Sequence, residues 1–330
     1  MKAGVLMILC EHAHSVNLRL RLNAVWALKH LVYLADNVVR RRCLEELGQG
    51  WLIQLIESET TETSSSDDVH MVGQEPGGTS TVQTNRTRDG LLNIESAQEL
   101  FEVDRDDVMH IADSVGIFDK HQPTQNGKAR EHSHLKDFEI KSAQREDVAI
   151  QEQVFEFMRN LICPPGSTEM IDFLLTSLGQ DRLFSIFTSK FRPRLVTVPS
   201  KDPSRPASET VTRLIQPREE IMLAVLYNII HLAGGEPRHR QIVLSQPELF
   251  KVLAPLFDHP NKDIRVNLGW LVINLTWMDD ESDRPGAKSR ALELKKLGWV
   301  ARLERMEHDP ELDVKERAKT ALYQVNSAIE

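Results

Sequence analysis

A tryptophan followed one helical turn later by a carboxamide can grip an extended polypeptide. The indole walls a side-chain pocket, and the amide can pair with both a backbone N–H and a backbone C=O. Positions i and i+4 share one face of a helix, so the two groups act together. Trp270 with Asn274 has this spacing, and Trp26 with His30 repeats it with an imidazole in place of the amide. Two further segments keep only the carboxamide, Asn160 and Asn228, with Glu156 and Ala224 in the tryptophan place. The alternative is that the amides bond between adjacent helices and the indoles simply pack, the commonest fate of large aromatics. Arg21 and Arg265 stand nine residues before the polar position. Each suits either a clamp on a partner's carboxylate or an ion pair with a neighbouring unit. The candidate protein-binding residues are Trp26, His30, Asn160, Asn228, Arg265, Trp270 and Asn274.

Other reactive residue types lack the spacing that chemistry needs. There is no GxGxxG, phosphate loop, GxSxG elbow, HExxH or cysteine-rich zinc framework, so no enzyme and no cofactor is expected. His12 and His14, and His132 and His134, are paired, but nothing supplies four metal ligands at a recognised spacing. The acidic run Asp279, Asp280, Glu281, Asp283 fails as a calcium loop, because Arg284 and Arg290 fall where glycine and glutamate belong. Cys10, Cys43 and Cys163 form no CxxC pair and read as reduced, buried thiols. Ser65 and Ser66, followed by Asp67 and Asp68, are candidate acidophilic phosphorylation sites.

The elements that carry the tryptophans repeat. Residues 21–30, RLNAVWALKH, match 265–274, RVNLGWLVIN, so that Arg21, Asn23 and Trp26 fall on Arg265, Asn267 and Trp270. Residues 258–275 overlay 308–325 in the same way, with Asp263 on Asp313, Arg265 on Lys315 and Asn274 on Gln324. Self-similarity at this period marks a helical solenoid.

Apolar residues at helical spacing predict long helices over about 17–35, 148–163, 218–234, 262–277 and 311–328. Shorter pairs are expected at 36–47 and 48–57, 166–178 and 181–190, 238–246 and 246–257, and 287–297 and 298–307. One short, one medium and one long helix in about 42 residues is the armadillo pattern. The fold class expected is all-α: a right-handed α-solenoid of about five armadillo repeats, with the first incomplete. The chain then begins inside a repeat and reads as a C-terminal fragment of a longer solenoid.

Two stretches interrupt the frame. Residues 58–145 are polar and acidic and predict a disordered insert. A weakly amphipathic stretch at 94–118 within it could fold on a partner. Residues 191–217 hold five prolines and predict a basic, extended loop. The repeats therefore occupy 1–57 and 146–330, the second block interrupted by that loop. Net charge is −9, but residues 57–147 alone hold 20 acidic and 9 basic residues, so the remainder is close to neutral. No apolar run approaches the roughly eighteen residues of a membrane span.

The segments VNLRLRLNAVWALKHLVY and VAIQEQVFEFMRNLIC, with the stretch from HPNKDIRVNLGWLVINLTW to VKERAKTALYQV, resemble one armadillo family. It is the scaffold subunit of the GID (CTLH) E3 ubiquitin ligase, in a fungal version. The resemblance covers about 1–57, 147–190 and 218–327. It implies a non-catalytic subunit of a hetero-oligomeric complex in cytoplasm and nucleus, bridging the ligase core to a substrate receptor for proteasomal degradation. It also implies that the receptor's C-terminal tail lies in the concave groove near the C-terminal repeats. Its partners are proteins, not nucleic acid or membrane. The chain departs from the pattern at His30 and Gln324, which replace Asn, and in the middle repeats, which lack the tryptophan. A nuclear-import adaptor of the importin-alpha type is the competing reading, though it wants tryptophan–asparagine pairs in consecutive repeats and a basic N-terminal arm. A generic armadillo adaptor is the third.

Overall fold

The computed structural model describes residues 3–58, 128–164, 167–199 and 210–330. Helices dominate, and their order repeats. A first pair comprises α1 (Ala3–Ala13) and α2 (Leu18–Val32). The next unit has α3 (Asn37–Leu47), α4 (Gln49–Glu57) and α5 (Lys128–Leu161). The third has α6 (Ser167–Leu178), α7 (Gln180–Ser189), strands β1 (Arg194–Pro199) and β2 (Thr210–Ile215), and α8 (Glu219–Ala233). The fourth has α9 (Pro237–Leu244), α10 (Pro247–Leu253), a 3-10 turn (Ala254–Asp258) and α11 (Lys262–Thr276). The last has α12 (Arg284–Lys296), α13 (Trp299–Met306) and α14 (Leu312–Ile329). This is an all-α armadillo solenoid, and each long helix lies within a few residues of its sequence-based position except α5, which begins at Lys128 rather than near 148.

Local chemistry accounts for the boundaries. Asn17 and Asn261 occupy the same repeat position, and each accepts a backbone N–H from the first turn of its long helix. Three repeats turn from first to second helix at a glycine with positive φ: Gly48 (87°), Gly179 (80°) and Gly298 (76°). A side chain there would be strained, which explains glycine at this one repeat position. Apolar stripes bury between repeats rather than in a single centre. Trp299, 1% exposed, illustrates this by packing against Phe250 and Phe257 of the preceding repeat, 4.7 and 5.0 Å between ring centres.

The chain divides into two compact units, Met1–Ser64 with Asp137–Glu330, and Ser65–Lys136. The repeats belong to the first. Of the second, the described part is the backbone of 128–136, the start of α5. The expectation of a disordered insert over 58–145 is corrected for its last part, where α5 reaches back to Lys128. The rest of that expectation, with the 94–118 stretch, Ser65 and Ser66, lies outside the described residues.

The loop expected at 191–217 is corrected. Residues Arg194–Pro199 and Thr210–Ile215 form an antiparallel ribbon in which Leu195 faces Leu214 and Thr197 faces Thr212. The runs LVTV and TVTRLI are rich in β-branched residues, which favour a pleated surface. The prolines fall outside the strands or at the edge of one, Pro193, Pro199 and Pro217 bracketing the ribbon.

Candidate protein-binding groove

The long helices α2, α5, α8, α11 and α14 stand at successive places in the stack, and the repeat carboxamides link them. Asn160 Nδ2 donates to Lys29 O at 3.1 Å, Asn228 Nδ2 to Phe155 O at 2.8 Å, and Asn274 Nδ2 to Ile230 O at 3.0 Å. Each acceptor is on the preceding long helix. Asn160 and Asn228 are 3% and 1% exposed. They form rungs between repeats and present no amide to a bound chain, as the alternative reading had it. Asn274 is half-buried.

Arg265 is likewise structural. Its Nε and Nη2 donate to the two carboxylate oxygens of Asp309 at 2.8 and 3.0 Å, and its Nη1 reaches His259 O and Pro260 O. The expected carboxylate clamp is thus closed by the next repeat's own carboxylate. Arg21 plays a related part, its Nε donating to Ser15 O at 2.9 Å. Burial raises the Asp309 carboxyl, but the hydrogen bonds from Arg265 and the Glu311 backbone N–H, with the charges of Arg265 and Lys315, together hold it below its ordinary value.

Trp26 is 44% exposed, with His30 edge-on at 4.3 Å between ring centres. Beside it, Lys29 pairs with Glu156 at 2.6 Å, both nearly buried. Glu156 stands in the tryptophan place of its repeat, so the groove there is ionic rather than aromatic.

The Trp270 end differs. Trp270 is half-buried, and the guanidinium carbon of Arg317 on α14 lies 3.4 Å from its ring centre. Gly269 makes this approach possible, because a Cβ there would come within 2.5 Å of Arg317 Cγ. Arg317 Nε is buried without a hydrogen-bond partner, and burial pulls the guanidinium down to about 10. Asp313, the acidic residue that acts on it, opposes that shift. The arrangement holds a partly desolvated cation against an aromatic face. Sequence reasoning missed Arg317, which falls on the Asn267 position of the repeat; the available signal was the glycine in mid-helix before Trp270.

The other reactive groups have structural roles. His14 stacks on Trp51 at 4.5 Å and bonds to Leu47 O at 2.8 Å. Asp279 pairs with Arg240, and Asp283 with Arg290, while Asp280 caps the turn after it. Cys163 Sγ lies 3.3 Å from His231 Nε2, and His231 Nδ1–H donates to Tyr227 O at 2.8 Å. Burial pushes the Cys163 thiol up and the His231 imidazole down to about 4, so the pair holds a protonated thiol beside a neutral ring, not an activated nucleophile. Among the described residues no cluster of three His, Cys, Asp or Glu could hold a metal, and no helix is long and apolar enough to cross a membrane.

Comparison with known proteins agrees with the fold. No family model matches the chain. GID complex subunit 5 of Schizosaccharomyces pombe is 27% identical over 207 residues, which cover 55% of this chain and 26% of the relative. The chain thus spans about a quarter of the length of that relative. A designed armadillo repeat protein solved with the peptide (KR)4 superposes with a TM-score of 0.52 at 13% identity, covering 98% of this chain and 83% of the other. A computationally designed armadillo protein for modular peptide recognition gives 0.50 at 12% identity, with the same coverage. The chain has the armadillo-repeat fold and is similar in sequence to a GID-type subunit.

Proposed function

We propose that the chain is a non-catalytic scaffold of a GID-type E3 ubiquitin ligase, linking a substrate receptor to the ligase core. The sequence similarity to GID complex subunit 5 supports the complex, and the armadillo fold supports a protein-binding surface. The observation that carries the site is the Trp270–Arg317 stack, an aromatic and a cation with no ion pair among the described residues, on facing long helices. Such a pair suits the C-terminal tail of a receptor subunit, whose carboxylate the guanidinium would meet while the indole takes an apolar side chain. Asn274, one turn from Trp270, borders the same surface. On this reading the complex works in cytoplasm and nucleus and feeds proteasomal degradation.

An importin-alpha-like adaptor would hold basic peptides on paired tryptophans and free asparagines. The buried Asn160 and Asn228, and the cation over Trp270, speak against it. Affinity purification from native cells with mass spectrometry tests the assignment. The ligase reading expects RING subunits and a receptor. Recovery of importin-beta, or of neither set, would overturn it.

A further inference from the structure

Away from the groove, the ribbon β1–β2 leaves the third repeat between its second and third helices. Its two faces differ. Arg194, Val196 and Ile215 are half-buried, and Arg194 and Ile215 line a cleft with Lys190, Arg218 and Ile221 of the solenoid. The opposite face carries Leu195, Thr197, Thr212 and Leu214, all exposed. Leu195 and Leu214 oppose each other across the ribbon yet are 73% and 57% exposed, an apolar pair open to solvent.

The two strands differ as edges. Strand β1 is flanked by Pro193 and ends at Pro199, whereas Thr210–Ile215 contains no proline and so has a backbone N–H at every position. Thr212, Arg213 and Leu214 are exposed in succession, so β2 faces solvent on its side chains as well as its edge. Of the usual guards of a sheet edge, the strand has no proline and a single charge, Arg213. Two strands alone are marginal in water, and a third with an apolar face stabilises such a ribbon.

Charge identifies what could fill the place. From Lys190 to Arg218 the chain has seven Lys or Arg and two Asp or Glu. Arg213 projects from β2 itself, while Arg192 at the base of the ribbon already pairs with Glu248 at 2.7 Å. We propose that β2 is a strand-addition site for an extended acidic segment of a partner protein. Aliphatic residues of that segment would cover Leu214, the member of the apolar pair on β2, and carboxylates at its alternate positions would meet Arg213. Backbone pairing supplies affinity in this mode and alternate side chains supply specificity.

The proposal is independent of the groove. The probe is a fluorescein-labelled peptide amidated at its C-terminus, Glu-Leu-Glu-Val-Glu-Leu-Asp, titrated into the full chain by fluorescence anisotropy. Saturable binding is expected, weakened tenfold or more by Arg213→Glu and by Leu214→Ser, and unchanged in Trp270→Ala. A second peptide of equal charge, with proline at alternate positions, is expected not to bind. Melting curves confirm that each variant is folded. Equal binding of the proline peptide would reduce the effect to bulk charge and overturn strand addition. So would failure of the first peptide to bind at millimolar concentration, or binding indifferent to both ribbon variants. Self-association of the chain that Arg213→Glu abolishes would assign the edge to a second copy instead.

Discussion

Arg317 rests on Trp270, its guanidinium carbon 3.4 Å from the ring centre, although the two belong to different repeats. Three things follow from the contact. It fixes the spacing of α11 and α14 at the groove. It strips water from a cation without supplying a carboxylate in return. It also requires Gly269, since any larger residue would push the arginine stem away.

Gly269→Ala therefore sets two effects against each other. Alanine gains up to about 1 kcal/mol of helix propensity over glycine. Displacing Arg317 loses a desolvated cation–π contact of about 2 kcal/mol and shifts packing between repeats. A net loss of about 1 kcal/mol is expected by denaturant melting, with a change in tryptophan fluorescence. A variant more stable than wild type would show that the stack contributes little.

Arg317→Met keeps an unbranched apolar stem and removes the guanidinium. Because the cation is partly buried without an ion pair among the described residues, stability should change by less than about 1.5 kcal/mol, as in other volume-conserving swaps. Binding of the receptor's C-terminal tail as free acid should fall tenfold or more. A large stability loss with unchanged binding would make Arg317 purely structural.

Arg265→Ala leaves Asp309 nearly buried without its partner and should cost about 3–5 kcal/mol. The double variant Arg265→Met with Asp309→Leu should recover most of it, as a buried ion pair replaced by apolar groups often does. Chemical denaturation of the two variants beside wild type checks this. A mild single-variant effect would mean that Arg265 remains available to a ligand.

His231 carries a pH dependence of defined sign. Its imidazole is pulled from 6.5 to about 4, so between these values the unfolded chain binds a proton that the folded chain does not. Stability is then lost as pH falls from 6.5 towards 4, by no more than about 1.4 kcal/mol per pH unit for one group. His231→Asn should flatten the stability profile in that window. An unchanged slope would place the titration elsewhere.

The long helices were legible because each repeat must bury a stripe at helical spacing, and Trp26 and Trp270 mark the register. The ribbon was not, because five prolines between 191 and 217 suggested a loop while the alternating Val and Thr on either side carried the strand signal. For the site, i and i+4 spacing placed Trp270 and Asn274 on neighbouring turns. It could not tell that Asn160 and Asn228 turn toward the preceding long helix, a direction set by the distance between repeats. Arg317 escaped because a helix from the next repeat delivers it, at a position where the matching copies have Asn23 and Asn267.

The central claim is that the Trp270–Arg317 surface takes a receptor's C-terminal tail. Calorimetric titration of the receptor's C-terminal peptide into wild type, Trp270→Ala and Arg317→Met, with the peptide as free acid and as amide, tests it most directly. Truncating the aromatic anchor should cost about 2 kcal/mol or more, roughly thirtyfold in affinity, in a variant shown by melting to be folded. The free acid should bind more tightly than the amide in wild type, and Arg317→Met should abolish that preference. Wild-type affinity in both folded variants, with acid and amide alike, would contradict the account.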